Sequence, residues 1–183
     1  MPNDFASRVE IFLDGSNFYN GLRQQFGDGR YSVEKLVSRV VNGRILVRLN
    51  FYTGLIDPHR DFKGASAQKR FLNFLEALPH PVKLYTRPMR YYTGWPKVPP
   101  QEKGVDVMLA IDSILGALDR RYDTAIFLSG DQDFTELVRV LHSRFSIRIE
   151  TYYPVSRRHL FETAPECFAK GEVITKWFYR SIR

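Results

Sequence analysis

Five runs of strand length, rich in β-branched, aliphatic and aromatic residues, each lead into a stretch of helical period, and this alternation is the main constraint on the fold. The runs are Val9–Leu13, Ile45–Thr53, Val82–Thr86, Thr124–Leu128 and Ser146–Tyr153. After the first, Phe18, Tyr19, Leu22 and Phe26 fall on one side of a helix, with a break at Gly27-Asp28-Gly29. Ser32 is placed to cap a second helix carrying Val33, Leu36, Val37 and Val40, which runs into the turn signal Asn42-Gly43. Phe71, Leu72, Phe74, Leu75 and Leu78 mark a third helix that stops at Pro79, Lys103–Leu118 a fourth, and Phe134, Leu137, Val138, Leu141 and Phe145 a fifth. Strands alternating with helices predict an α/β fold of three layers, α/β/α, around a central, mostly parallel sheet of about five strands. The polar alternation in Val82–Thr86 places that strand near an edge. From Ser156 onward the chain reads as helical pieces ending in an exposed basic-aromatic tail, Lys176-Trp177-Phe178-Tyr179-Arg180, a candidate homodimer contact.

In a parallel sheet every strand ends on one rim, and ligands bind outside those carboxyl ends. Asp14 closes the first strand, and Ser129-Gly130-Asp131-Gln132-Asp133 follows the fourth. In the fourth helix, Asp106 begins a stripe of small residues, Ala110, Ser113 and Ala117, suited to lying against a sheet. Asp112 is roughly 120° round from that stripe, in line with Gly116 and Asp119, and is left out of the site. The helix is apolar on most sides, which predicts burial. Asp14, Asp106, Asp131 and Asp133 are thus expected to converge. Two carboxylates about 5 Å apart repel by about 3 kcal/mol at an effective dielectric near 20. Four therefore call for a cation, and hard oxygen ligands suit Mg²⁺ or Mn²⁺. Three of the acids also have a plainer reading: Asp14 and Asp131 as turn residues, Asp133 with Glu136 as a capping box. The histidines (His59, His80, His142 and His159) lack metal-ligand spacing, and no G-x-S-x-G elbow or Walker A loop is present.

A length of 183 residues suits one domain. The formal net charge of +7 favours polyanionic partners. With one cysteine, Cys167, no internal disulfide forms, so a reducing, cytoplasmic setting is expected. No run approaches the ~18 apolar residues of a membrane span, and Met1–Glu10 has no signal-peptide core.

Three segments in order resemble the NYN domain family, the LabA-like branch of the PIN-like nucleases: Phe12-Leu-Asp-Gly-Ser-Asn17, Glu102-Lys-Gly-Val-Asp106 and Leu128-Ser-Gly-Asp-Gln-Asp-Phe134. The resemblance runs from Val9 to Tyr153. Ser156–Phe168 is similar to the family's closing helix, although Pro165-Glu166 stands where Ala-Asp-like residues are expected. The resemblance implies a PIN-like fold and metal-dependent cleavage of RNA phosphodiesters. It implies that Asp14, Asp106, Asp131 and Asp133 bind one or two Mg²⁺ or Mn²⁺ ions, with Asn17, Lys103 and Ser129 as polar residues near the site. The irregular stretch leading into Lys103 then reads as a path for single-stranded RNA. Arg87, Arg90 and Lys97 follow the backbone while Tyr91 and Tyr92 stack on bases. Alternatively Tyr91, Tyr92 and Trp95 pin that loop to the core. A non-catalytic RNA-binding or regulatory module is the competing reading. A haloacid-dehalogenase-like phosphatase needs a second aspartate where this chain has Ser16.

Overall fold

The computed structural model describes residues 7–154, 165–173 and 176–183. Its frame is one sheet of six strands in the order β3-β2-β1-β4-β5-β6. Every neighbouring pair is parallel. The strands are β1 (Arg8–Asp14), β2 (Ile45–Leu55), β3 (Val82–Pro88), β4 (Thr124–Leu128), β5 (Arg148–Tyr153) and β6 (Phe168–Val173). The helices are α1 (Gly15–Phe26), α2 (Val33–Val41), α3 (Phe62–Glu76), α4 (Val105–Leu118), α5 (Thr135–Phe145) and α6 (Lys176–Ile182). The chain builds outward from β1 to β3, which is an edge strand as expected. It then returns to the centre at β4, so the order reverses between β1 and β4.

The layers follow from side-chain alternation along the central strands. Val9, Ile11 and Leu13 of β1 pack with Phe18 and Leu22 of α1, Leu36 and Val40 of α2, and Leu75 of α3. The opposite face, with Phe12, Tyr52 and Phe127, meets Val105 and Leu109 of α4 and Leu137, Val138 and Leu141 of α5. Each such side chain, fully buried, contributes about 1.5–3 kcal/mol relative to exposure. The helix ends match the sequence signals. Ser32 Oγ accepts the Lys35 amide at 3.3 Å to start α2. Gly27 ends α1 in the left-handed conformation at φ 78°.

The C-terminal part departs from the expected helical pieces and exposed tail. Residues 156–164 lie outside the described residues. Pro165–Cys167 forms a 3-10 turn, and Phe168–Val173 adds a sixth strand beside β5. The basic-aromatic tail is partly core: Tyr179 and Ile182 are buried with α1 and α2. Tyr179 stacks on Phe26 and donates its hydroxyl to the carbonyls of Asp28 and Arg30, at 2.8 and 2.9 Å. Tyr179 and Ile182 are therefore core residues rather than part of an exposed tail.

Helix α4 also departs from expectation. Its inner face is Val105, Leu109, Asp112, Ser113, Gly116 and Ala117. Its outer face, carrying Val107, Ile111, Leu115 and Leu118, is uncovered. Asp112 sits beneath the helix in a buried polar layer on the sheet. There Arg48 Nη2 donates to Glu10 at 2.8 Å and to Asp112 at 3.2 Å, and Arg121 Nη2 reaches both acids at 3.3 Å. Tyr52 donates its hydroxyl to Asp112 at 3.0 Å, and Asn50 donates to Glu10 at 2.8 Å.

Candidate functional site

The adjacent strands β1 and β4 end on either side of the reversal in strand order. This is the topological switch point where a crevice opens in sheets of this kind. Asp14 is the last residue of β1 and caps α1, its Oδ1 accepting the Asn17 amide at 3.0 Å. Its other oxygen accepts the Ser129 hydroxyl at 3.4 Å. Ser129 Oγ in turn accepts the Asp131 amide at 3.2 Å. Asn17 Oδ1 accepts the Gly130 amide at 3.3 Å. The two strand ends are thus tied together by short polar side chains. Asp131 Oδ1 accepts the Asp133 amide at 3.1 Å and caps the short turn Gln132–Phe134. The turn reading of Asp131 is therefore correct as far as one oxygen goes. The capping-box reading of Asp133 is not: the residue preceding α5 is Phe134, with no side-chain cap, and Asp133 is exposed.

Asp106 reaches the same rim from the first turn of α4, which starts from Gly104 at φ 79° without a side-chain cap. It is exposed rather than turned inward as the small-residue stripe implied. The inner face of α4 is centred on Asp112 and Ser113, so Asp106 points along the rim. Glu102 is the residue that sequence reasoning quoted but left without a role. One of its oxygens accepts from the Ser16 hydroxyl at 2.7 Å, the Gly54 amide and the Thr53 hydroxyl at 3.5 Å. A side chain on Gly54 would collide with Glu102, its Cβ standing 2.7 Å from Glu102 Cγ. Glu102 thus ties the end of β2 to the start of α1. Its signal in the sequence was only its place ahead of Lys103 and Asp106.

The electrostatics of the rim are those of crowded acids. Asp14 is 4% exposed. Burial, followed by the charges of Asp106, Glu102 and Asp131, pushes its carboxyl up to about 7, against a lowering contribution from the Asn17 amide. Asp106 is also raised, by partial desolvation at the rim first and then by Asp131, Glu102 and Asp133. The neighbours that shift both groups electrostatically are all carboxylates. The donor chemistry, hard oxygens raised by one another, fits a divalent cation. The positions of the acids do not enclose one. Among the described residues no three His, Cys, Asp or Glu side chains form a group able to hold a metal ion. The acids influence one another electrostatically without making a formed ligand group among the described residues.

The remaining sequence-predicted residues divide. Ser129 is fully buried, with its hydroxyl bonded within the rim, so it braces Asp14 and Asp131 rather than facing a substrate. Lys103, Arg87, Arg90, Tyr92 and Lys97 are exposed. Arg87 donates to Met108 Sδ at 3.1 Å and lies alongside Gly104, which brings the basic stretch to the acidic rim. Arg90 and Gln101 pair through their backbones at 2.9 Å, closing the loop at its base. Tyr92 donates its hydroxyl to Gln101 at 3.2 Å. Tyr91 is pinned instead: its hydroxyl accepts the Asp57 amide at 3.2 Å, and its ring meets Trp95 edge-on at 5.0 Å. Arg60 lies over the Tyr91 ring at 5.8 Å, a basic neighbour that sequence spacing did not reveal. A cavity of about 510 Å³ between the end of α2 and β5–β6 is lined by the buried Arg44–Glu150 pair and by none of the rim acids.

Comparison with known proteins bears on the fold and the family. A family model described as NYN domain matches residues 8–169. A crystal structure of a protein of unknown function from Vibrio parahaemolyticus shares 20% sequence identity, with a TM-score of 0.70 over 96% of this chain and 98% of that one. No curated protein matches the chain.

Proposed function

The chain belongs to the NYN domain family, a nuclease-like domain, and we propose that it is a ribonuclease dependent on Mg²⁺ or Mn²⁺. The observation that carries this reading is Asp14. A buried carboxyl at a topological switch point, raised to about 7 among other acids, is costly unless a cation is to be held there. Asp14, Asp106, Asp131 and Asp133 would hold the ion, whose Lewis acidity activates water and neutralises charge on a phosphodiester. The chain's own residues do the rest. Asn17 and Ser129 fix the ends of β1 and β4, so Asp14 and Asp131 keep their places across the crevice. Glu102 holds the start of α1 against β2 and adds negative charge beside them. Lys103 at the foot of α4 faces the substrate phosphate. Arg87, Arg90 and Lys97 follow the backbone of a single strand, and exposed Tyr92 offers a face to a base. Water attacks phosphorus in line and gives up its proton to the carboxylate rim, while the bond to the 3′ oxygen breaks and that oxygen leaves as a hydroxyl after taking a proton from solvent.

The absence of a formed ligand group among the described residues favours one second reading, an RNA-binding module without turnover. Cleavage of end-labelled single-stranded RNA with Mg²⁺ or Mn²⁺ separates the two, comparing the parent, Asp131→Asn and an EDTA control. The nuclease reading predicts metal-dependent products that fall to background in the variant. RNA bound but uncut by the parent would support the module, and equal cutting by both proteins would refute the assigned site.

A further inference from the structure

We propose that the cavity between the end of α2 and β5–β6 is a binding site for a dianionic phosphate group. The inference is independent of the nuclease reading, since none of the rim acids lines this cavity. On the α2 side of the sheet, β5 turns from apolar to charged. Tyr152 packs in the core with Leu36 and Val40. Two residues earlier on the same face comes Glu150, and two before that Arg148. In β6, Lys170 and Glu172 lie in register beside Glu150 and Tyr152. Arg39, from the last turn of α2, and Asn42, its C-cap, form the other wall.

The local sequence builds the floor of this cavity. Asn42 and Gly43 are both left-handed, at φ 49° and 79°, a conformation that asparagine and glycine adopt most readily. The turn brings Arg44 back under the end of the helix. Its guanidinium donates to the carbonyls of Val40 and Val41 at 2.7 and 2.9 Å and to the two oxygens of Glu150 at 2.8 and 2.9 Å. The two side chains are 7% and 3% exposed. The charges of Arg44 and Glu150 are thus committed to each other. Glu172 is held by Lys170 at 2.9 Å, with Arg39 at 3.8 Å, and Arg148 reaches Glu150 at 3.5 Å. Among the described residues the lining carries four cations, Arg39, Arg44, Arg148 and Lys170, against two carboxylates, Glu150 and Glu172. The cavity therefore has an excess of positive charge. Arginine forks match phosphate oxygens, and a phosphomonoester carries about −1.5 to −2 charge at neutral pH. A volume of about 510 Å³ is that of a small-molecule site and leaves room for more than the phosphate itself.

Isothermal titration calorimetry on the full chain at pH 8 in EDTA tests this, with adenosine 5′-monophosphate and inorganic phosphate as probes. One site per chain is expected. Arg148→Gln or Arg39→Gln weakens binding by about tenfold or more, as for loss of a charge-assisted hydrogen bond. Glu172→Gln tightens it, because a competing carboxylate is gone. Effects of opposite sign in one cavity separate loss of a ligand contact from loss of the fold, which circular dichroism checks in each variant. Asp131→Asn at the rim leaves the affinity unchanged. Tighter binding of the nucleotide than of inorganic phosphate supports the site with an organic phosphomonoester as its source, and equal binding supports it with free phosphate. No binding of either probe at millimolar concentration, or an affinity that none of the three cavity substitutions moves, overturns the proposal. So does a single-stranded RNA with a 5′-hydroxyl end that binds as tightly as the nucleotide and is weakened by the same substitutions, since its phosphates are all diesters.

Discussion

Helix α4 carries two aspartates in opposite situations. Asp112 is buried on the sheet; burial raises its carboxyl, but hydrogen bonds and the charges of Arg48 and Arg121 outweigh that and hold it low. Asp106, near the N-terminus of the same helix, is raised by partial desolvation and by the carboxylates around it. The difference extends to their surroundings. Glu10 and Asp112 share two guanidinium groups, so the layer under α4 contains two acids and two bases. Asp14, Asp106, Asp131, Asp133 and Glu102 share the rim, where acids raise one another. One region spends its polarity on holding the sheet to its helix. The other retains unbalanced negative charge at the mouth of the crevice, as a cation-binding site does.

Substitutions that move one region toward the condition of the other sharpen this contrast. The largest effect is expected from Arg48→Met, which leaves Glu10 and Asp112 short of a partner in a buried layer. Breaking such a network costs about 3–5 kcal/mol, measurable by urea unfolding. A loss near zero would mean that the arginines do not balance these acids.

Asp14→Asn should act in the opposite direction. The native carboxyl titrates near 7, whereas an ordinary aspartate titrates at 3.8. The folded protein therefore holds a proton that the unfolded chain has released between those values. Its stability falls as pH rises through that window and is lowest above it. Asparagine keeps an oxygen for the Asn17 amide and removes the charge. The gain is up to about 4 kcal/mol at pH 8, from about three pKa units of ~1.4 kcal/mol each. It vanishes near pH 4. A variant no more stable than the parent at pH 8 would break the contrast. Asp106→Asn, exposed to solvent, should show the same sign and pH direction with a smaller gain, measured by the same unfolding curves at pH 5 and 8.

What the sequence disclosed, and what it hid, follows the same division between local and distant causes. Strands β1 to β5, the Ser32 cap and the placement of Asp14 and Asp131 at strand ends were legible, because periodicity and turn chemistry are local. Strand β6 was not: Phe168-Ala-Lys-Gly-Glu-Val173 lacks an apolar alternation, and its pairing with β5 is what makes it a strand. Glu102 owes its role to Ser16 and Gly54, which lie far away in the chain and meet it only through the strand order. The arginines that balance Glu10 and Asp112 are likewise supplied from β2 and the α4–β4 turn. The apolar pattern of α4 predicts burial with Asp106 turned inward, whereas the buried side carries Asp112 and Ser113 and leaves Asp106 exposed, because a pattern records which residues avoid water and not which face the chain covers. The helix's outer stripe, Val107, Ile111, Leu115 and Leu118, is exposed.

The most direct test of the rim as a cation site is thermal unfolding of the parent and Asp14→Asn at pH 8, with and without Mg²⁺ or Mn²⁺. A cation that binds the folded rim stabilises it by RT ln(1 + [L]/Kd), about 2.7 kcal/mol at 100 times Kd. The parent is expected to start below the variant and to rise with the cation, while the variant stays nearly where it was. A parent that does not respond, or a variant that rises as much as the parent, would contradict a cation site at the rim.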